Sequence, residues 1–212
     1  MNLSEATLSR LIQQGEGVSL EFKRKINHTR KIAKSIIAFA NTIGGMLIVG
    51  VDDNGRIYGV DDEKYPADTI RKMAAQDCFP AVNCTISSLK LDGKYIILIN
   101  VPESTNKPHY LLDRSTGPGP AFIRLGSKTI EASPVQISVM RQSKSPGVSI
   151  DYGDAERLLF DYLRQYGTIR FDKFVLLSGL SEEETSRRLG RLILIGMIRS
   201  VFVESKEYFT LA

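Results

Sequence analysis

Acidic and basic side chains gather around one predicted strand of this 212-residue chain. Residues Met46–Val51 are all apolar or glycine, which is the pattern of a central strand with both faces buried. Two aspartates follow directly, the second of them Asp53, so their carboxylates are expected at the edge of the sheet. Glu16 and Glu21 lie upstream, and a basic stretch follows them over residues 23–34. Carboxylates and cations are therefore expected to meet at one strand end.

Half of the cations in the basic stretch fall on a predicted amphipathic helix over residues 29–41. Its apolar residues recur on one face, and Arg30, Lys31 and Lys34 share the opposite face through i, i+3 and i, i+4 spacing. Cations in this arrangement can pair with phosphates, and binding then depends on salt because each neutralised phosphate releases counterions. A solvated helix face is the alternative, since that is the commonest fate of charge on a surface helix. The candidate phosphate-binding residues are Lys23, Arg24, Lys25, Arg30, Lys31 and Lys34.

Composition excludes several other classes of protein. A hydrophobic content of 42% and a charged content of 25% are ordinary for a globular chain. No apolar run approaches the roughly 18 residues that a membrane span needs. The first residues lack the features of a signal peptide. The spacing of Cys78 and Cys84 matches neither a disulfide framework nor a zinc site. Both observations lead us to expect a cytoplasmic location. No Gly-Lys-Ser/Thr follows Gly44-Gly45, so ATP binding is not expected.

Charge and pattern divide the chain into two predicted domains. Residues 1–145 carry 19 Lys and Arg against 14 Asp and Glu, whereas residues 146–212 carry 9 against 10. The positive excess of the first part favours an anionic partner there. A polar stretch without periodicity over residues 143–153 is the predicted linker, which leaves a domain over residues 1–142 and another over residues 154–212.

The first domain is expected to mix helices with strands. Asn54-Gly55 and Asp92-Gly93 are strong signals for tight hairpin turns. Periodicity predicts helices over residues 4–14, 29–41, 67–76 and 134–142, and strands over residues 18–22, 46–51, 56–60, 81–91, 94–101 and 121–125. This order predicts an α+β fold.

The second domain has the pattern of a winged helix. Helices are predicted over residues 155–165 and 171–177, and Ser181 with Glu184 forms a capping-box signature for a third. Two strand-like segments complete the pattern. The third helix carries Arg187, Arg188 and Arg191, which could meet DNA in the major groove. Three glutamates in its first turn would repel phosphates, so protein contacts or dimerisation are the alternative for this domain.

Five motifs in the first domain resemble those of the Schlafen-associated AlbA-type domain. This family occurs in bacterial and archaeal proteins proposed to be transcriptional regulators, and in animal Schlafen proteins. The matching motifs are Glu16-x-x-x-Leu20-Glu21-Phe22-Lys23, Ala38-Phe39-Ala40-Asn41-Thr42-x-Gly44-Gly45, Ile48-x-Gly50-Val51-Asp52-Asp53-x-Gly55, Val101-Pro102-x-Ser104-x-x-Lys107-Pro108 and Phe122-Ile123-Arg124-x-Gly126-Ser127-x-Thr129.

The resemblance implies an AlbA-like α+β module with a mixed sheet and flanking helices, which binds nucleic acid, and a following winged helix is an arrangement that the family also shows. In some animal members the fold is an endoribonuclease, and Glu16, Glu21 and Asp53 match the positions of its three metal-binding carboxylates. Such oxygen ligands suit Mg²⁺ or Mn²⁺. A structural role for these carboxylates is the alternative. Arg124 could clamp a phosphate, or could pair with Asp52 or Glu21.

These observations favour a DNA-binding transcriptional regulator that contacts the phosphate backbone through its basic helix. DNA is expected rather than RNA, without a cofactor, and no aromatic residue interrupts the basic stretch to stack on single-stranded bases. A metal-dependent nuclease and a protein-interaction scaffold are the alternatives. Because animal relatives pair two such lobes in one chain, a homodimer is expected by analogy.

Overall fold

The computed structural model describes residues 4–113, 115–144, 147 and 152–212. The chain forms two compact units that divide between residues 131 and 132. The helices of the first unit are α1 (Glu5–Gln14), α2 (Thr29–Asn41) and α3 (Lys64–Gln76). Its strands are β1 (Leu20–Lys23), β2 (Gly45–Val49), β3 (Cys78–Phe79), β4 (Thr85–Leu91), β5 (Lys94–Val101), β6 (Tyr110–Asp113), β7 (Gly117–Leu125) and β8 (Lys128–Glu131).

The first sheet has the strand order β1-β2-β5-β4 and mixes parallel with antiparallel pairs. β1 runs parallel to β2, with Leu20 opposite Met46, whereas β5 is antiparallel to both of its neighbours. Side chains of β2 alternate between two cores. Leu47 and Val49 pack with α2, and Ile48 packs on the other face with α1. The predicted central strand with both faces buried is therefore confirmed.

Helix α2 packs against both sheets of the first unit. The second sheet is antiparallel and has the order β3-β6-β7-β8. Ile36 and Phe39 of α2 are fully buried in a core that contains Leu47 of the first sheet and Phe122 of the second. An amphipathic helix in this position leaves only its polar edge to solvent, and that edge carries Lys31.

The segment after β2 differs from its predicted hairpin. The tight turn forms, because the Gly55 N–H donates to the carbonyl of Asp52 at 2.9 Å. The returning residues 56–60 make only isolated bridges instead of a strand. Gly59 has φ +64°, and a Cβ atom there would lie 2.5 Å from Cβ of Lys94. Its left-handed backbone interrupts the extended conformation that a strand requires.

The second unit contains helices and an antiparallel sheet of order β10-β11-β9. Leu159, Phe174, Leu189 and Phe209 meet in its core. The predicted helices and paired strands of residues 154–212 are all present. Its elements are α4 (Pro134–Gln142), α5 (Asp154–Tyr166), β9 (Thr168–Ile169), α6 (Phe171–Ser178), α7 (Glu182–Leu194), β10 (Ile198–Val203) and β11 (Lys206–Leu211).

Helix α4 packs in the second unit, although the sequence pattern assigned it to the first domain. Val135 enters the second core. Gly190 of α7 allows close approach, because a Cβ atom there would lie 3.0 Å from Nε2 of Gln142 and 3.1 Å from Oγ of Ser138. The boundary between compact units thus precedes α4, whereas the sequence placed it at residue 142. Most of the predicted linker, residues 143–153, lies outside the described residues.

Across the described ranges, no helix has both the length and the apolar character needed to span a membrane.

Candidate nucleic-acid interface

Glu21 of β1 and Arg124 of β7 form a buried ion pair between the two sheets. Nη1 of Arg124 lies 2.5 Å from Oε2 of Glu21, and the side chains of Arg124 and Glu21 are only 1% and 7% exposed respectively. The other oxygen of Glu21 accepts from Oγ of Ser35 at 2.9 Å and lies 2.8 Å from Nζ of Lys23. Both carboxylate oxygens therefore already have donors from the protein.

The guanidinium of Arg124 is also held from its other sides. It donates to the carbonyl oxygens of Gly17 and Ser127 at 2.8 and 3.0 Å, and to Oγ1 of Thr129 at 2.9 Å. Its carbon lies 4.8 Å from the centre of the Phe39 ring. A phosphate could reach this group only by displacing its internal partners. Arg124 was expected either to clamp a phosphate or to pair with a carboxylate, and the structure supports pairing with Glu21. We therefore no longer count Arg124 among the candidate phosphate-binding residues.

The three carboxylates of the nuclease alternative are not assembled into a metal site. Oε1 of Glu16 accepts the backbone N–H of Phe22 at 2.7 Å. Glu16 and Glu21 line one cleft, but Asp53 does not line it. Among all described residues, no group of three His, Cys, Asp or Glu side chains could hold a metal ion. A Mg²⁺ or Mn²⁺ site at this trio therefore does not fit the structure.

Asp52, rather than Asp53, shapes the turn that follows β2. Its Oδ1 accepts the backbone N–H groups of Asn54 and Arg56 at 3.0 and 2.9 Å. A carboxylate with this structural role was predicted from the sequence but was expected at Asp53, which is exposed. Asp52 is one residue closer to the strand and can accept both N–H groups across the turn.

Two neighbouring clefts run along the N-terminal part of α2 and the end of β1. The first is lined by Arg24, Lys25 and His28, and the second by Lys34 with Glu16 and Glu21. Lys23 and Lys31 line both clefts, so the two adjoin each other. We call this combined surface the basic groove, with cations from Lys23, Arg24, Lys25, Lys31 and Lys34.

The cations of the groove differ in how freely they could meet an anion. Lys25 and Lys31 are exposed and have no ion pair with any described residue. Arg24 lies 3.9 Å above the Tyr58 ring, and Nζ of Lys34 lies 4.9 Å from the centre of the Phe122 ring. Lys23 is held by Glu21. Lys25 and Lys31 are therefore the groove cations most available to a phosphate.

Arg30 lies outside the groove, although the sequence placed it with the other cations. Its Nη2 is 3.8 Å from Oδ2 of Asp113. Hydrogen bonds from Ser115 and Thr116 lower the pKa of Asp113 to about 2, so its carboxylate is charged at neutral pH.

The start of α2 adds positive potential to the groove. No acidic residue occupies the first turn of this helix, and His28 makes no capping bond there.

The three arginines of α7 do not form a shared, open basic face. Nη1 of Arg188 donates to both oxygens of the buried Glu156, at 2.7 and 2.9 Å. Arg187 pairs with Glu184, and Nε of Arg191 donates to Oε1 of Gln142 at 3.2 Å. Hydrogen bonds to Glu156 and Glu184 raise the pKa of Arg188. Arg188 faces the interior of its unit instead of an external ligand.

Asn41 joins α2 to the second sheet, a role that was not predicted from the sequence. Its Nδ2 donates to the carbonyl oxygens of His109 and Phe122 at 2.9 and 3.0 Å, and its Oδ1 accepts the His109 N–H at 2.7 Å. Thr42 extends the junction by accepting the Arg124 N–H at 2.9 Å. In the sequence, the signal for this role was an amide at the last position of the amphipathic helix, three residues before Gly44-Gly45.

The model of one protein family, described as Schlafen, AlbA_2, matches residues 16–133. The DIP2311 protein from Corynebacterium diphtheriae is a similar solved structure, with a TM-score of 0.49 and 19% identity over 89% of this chain. This chain spans 33% of that protein. The N-terminal domain of a RecG-related protein from Nitrosomonas europaea has a TM-score of 0.47 and 29% identity, covering 60% of this chain and 92% of that domain.

No curated protein matches the sequence. The two structural similarities are too partial to support a functional argument. The family match covers more than half of the chain and includes Glu21, Asn41 and Arg124, which join its two sheets. The chain therefore belongs to the Schlafen AlbA_2 family, and this membership points to a function connected with nucleic acids.

Proposed function

We propose that this chain binds duplex nucleic acid through the basic groove and acts as a cytoplasmic transcriptional regulator. The observation that carries the proposal is a pair of exposed lysines, Lys25 and Lys31, which have no ion pair with any described residue and lie beside the positive end of α2. Such a surface attracts a phosphate backbone without reading the base sequence. None of the described residues that line the groove is Phe, Tyr or Trp, which favours a duplex over stacked single-stranded bases.

We propose that the second unit is a winged helix with a supporting role. Three helices, α5 to α7, and the antiparallel pair β10–β11 support this assignment. The side of α7 that contains Gly190 is covered by α4, and Arg188 is engaged with Glu156. We therefore assign the main phosphate contacts to the first unit, with DNA preferred to RNA, and propose a homodimer in which the second unit adds specificity or protein contacts.

The salt dependence of duplex binding tests the proposal. Replacement of both Lys25 and Lys31 by Ala should weaken binding and reduce the slope of log affinity against log salt by about 2, since each phosphate contact contributes about 0.9. Lys72→Ala is the matched control, because Lys72 is another exposed helix lysine without an ion pair to any described residue. Fluorescence anisotropy between roughly 50 and 200 mM salt, the range over which phosphate contacts weaken, measures both quantities.

Equal slopes for the wild type and the double variant would contradict the proposed phosphate contacts. Binding of a DNA duplex but not of an RNA duplex of the same length would support the proposed preference, and the reverse result would contradict it. A labelled single strand of equal length provides the comparison for duplex binding.

A further inference from the structure

Strand β4 leaves one row of backbone groups unpaired at the edge of the first sheet. Asp92 and Gly93 have φ +47° and +79°, the left-handed pair of a type I′ turn, and Leu91 pairs with Lys94 across it. In such a turn the two flanking residues form backbone hydrogen bonds with each other. The N–H and C=O groups of Leu91, and of every second residue before it, therefore point towards β5. The remaining residues, Ile86, Ser88 and Lys90, must direct their N–H and C=O groups outward.

A contact on the other side of β5 supports this assignment. Tyr95 exchanges two hydrogen bonds of 2.8 Å with Val60, on the side of β5 that faces β2. The backbone N–H and C=O groups of Lys94 must therefore point towards β4, as the turn requires. Among the described strands, β4 pairs only with β5, so the outward N–H groups of Ile86, Ser88 and Lys90 have no partner strand.

The exposed edge has few of the features that normally prevent pairing with another chain. Proteins usually protect an edge strand by proline, by bulges, by several charges or by shortness. β4 spans seven residues, pairs with β5 without a bulge and contains no proline. Its one charged residue is Lys90. This strand is therefore a template for a further strand.

The sequence of β4 is complementary to itself in an antiparallel arrangement. With Ser88 opposite Ser88, Leu89 lies opposite Ser87 and Leu91 lies opposite Thr85, so each leucine meets a small residue. Thr85 and Ser87 line a groove whose apolar part comes from Leu11, Met46 and Leu98 of the same unit. Leu89 and Leu91 are only partly buried in their own unit, so the leucines of a second copy would cover the rim of this groove. The opposite face pairs Ile86 with the aliphatic stem of the partner's Lys90.

The second face offers one carboxylate, that of Glu63, to a lysine of the second copy. Oε2 of Glu63, at the start of α3, accepts from Oγ of Ser88 at 2.5 Å, which holds its carboxylate against the edge. In the antiparallel arrangement, the partner's Lys90 lies diagonally beside Ser88 on the same face. The arrangement therefore brings opposite charges together twice, once on each side of the two-fold axis.

We propose that two copies of this chain associate through their β4 strands to form one continuous sheet. The inference deepens the proposed homodimer by naming its interface. It leaves the basic groove accessible, because β1 and β4 lie at opposite edges of the first sheet. Association is therefore measured without nucleic acid, and its result is independent of the phosphate contacts.

Charge exchange between Glu63 and Lys90 tests the interface. In sedimentation velocity from about 1 to 200 μM, a range that brackets the micromolar affinity expected of a small interface, the wild type should dimerise. Lys90→Glu should raise the dimer dissociation constant at least about fivefold, because it places like charges across the strands. Glu63→Lys combined with Lys90→Glu should restore it towards the wild-type value. Both residues are exposed, so the monomer should fold normally.

Ser88→Pro provides a second test that does not depend on charge. The Ser88 N–H points outward, so proline preserves the pairing with β5 but removes a donor from the edge. This variant should be monomeric with an unchanged circular dichroism spectrum. The β4 interface would be overturned if the dimer persists in Ser88→Pro and if its dissociation constant does not change in the charge-exchange variants. Dimerisation would then have to use another surface. A wild type that is monomeric throughout would overturn both the interface and the homodimer.

Discussion

At the scale of single residues, the family motifs in this chain mainly hold the fold together. Glu21 was a candidate metal ligand by resemblance alone, yet its two oxygens accept from Ser35 and contact Lys23 and Arg124. A carboxylate in this environment cannot be tested for catalysis by simple deletion. Any loss of activity in Glu21→Ala would be confounded by loss of the folded state.

Replacement of either partner of the buried ion pair should destabilise the first unit. Arg124→Met or Glu21→Gln should each lower the free energy of unfolding by about 3–5 kcal/mol, because the other charge is left buried without its partner. Urea denaturation gives the comparison. Arg71→Ala is the control, since Arg71 pairs with Asp68 at the surface and should cost no more than about 1 kcal/mol. Losses of similar size in Arg71→Ala and Arg124→Met would contradict the structural role.

The buried thiol of Cys78 should make the protein less stable in alkali. Burial, with smaller effects of Asp77 and Cys84, raises the pKa of Cys78 from 9.0 to about 12. A raised pKa means that the folded state retains a proton which the unfolded state loses above pH 9. The stabilisation is therefore complete below about pH 9 and is lost as the pH rises towards about 12.

Urea midpoints at pH 8 and pH 10.5 in the presence of reductant would measure this effect. The decrease between the two pH values should be smaller in Cys78→Ala than in the wild type, because the variant has one fewer buried thiol. Cys84 also has a raised pKa because of burial, so part of the decrease should remain. Equal decreases in both proteins would exclude Cys78 as the source.

At the scale of elements, the sequence predicts best where structure depends on neighbouring residues. The bounds of α2 and α6 follow from periodicity, and β2 follows from its unbroken apolar run. Short strands such as β3 carry no such signal. The first residues of β7, Gly117-Pro118-Gly119-Pro120, resemble a loop in sequence and become a strand only through their pairing with β6.

The features of the site that could not be predicted from the sequence depend on contacts between residues that are far apart in the chain. The choice of Glu21 as the partner of Arg124 depends on how two sheets meet around α2, and no local pattern encodes it. The same limit applies to α4, whose helical period is clear but whose partner α7 lies far along the chain. The basic groove was predictable in part, because Lys31 and Lys34 share a helix face.

The junction between α2 and β2 should tolerate no side chain at Gly45. A Cβ atom there would lie 2.3 Å from the ring of Phe39, which is fully buried. Gly45→Ala should therefore lower the free energy of unfolding by about 1–3 kcal/mol through overpacking. Gly17→Ala is the matched control, because a Cβ atom at that residue would have no neighbour within 4 Å. Thermal denaturation of the two variants should separate them clearly, and similar midpoints would refute the clash.

Helix α7 should depend on Arg188 for stability more than for binding. Arg188→Met leaves Glu156 buried without its cation, which should cost about 3 kcal/mol in the unfolding of the second unit. Duplex affinity at low temperature should change less than about twofold, since Arg188 faces inward. A large loss of affinity with unchanged stability would instead assign Arg188 to the interface, as the sequence predicted.

At the scale of the whole molecule, the order β1-β2-β5-β4 has a consequence for DNA geometry. Joining two copies at β4 places the two β1 strands at the outer ends of a combined sheet. With about 4.8 Å per strand step, these ends are separated by roughly 34 Å. One turn of the double helix rises by about the same distance. Backbone protection by hydroxyl-radical footprinting should then recur about every 10 base pairs on one side of the duplex.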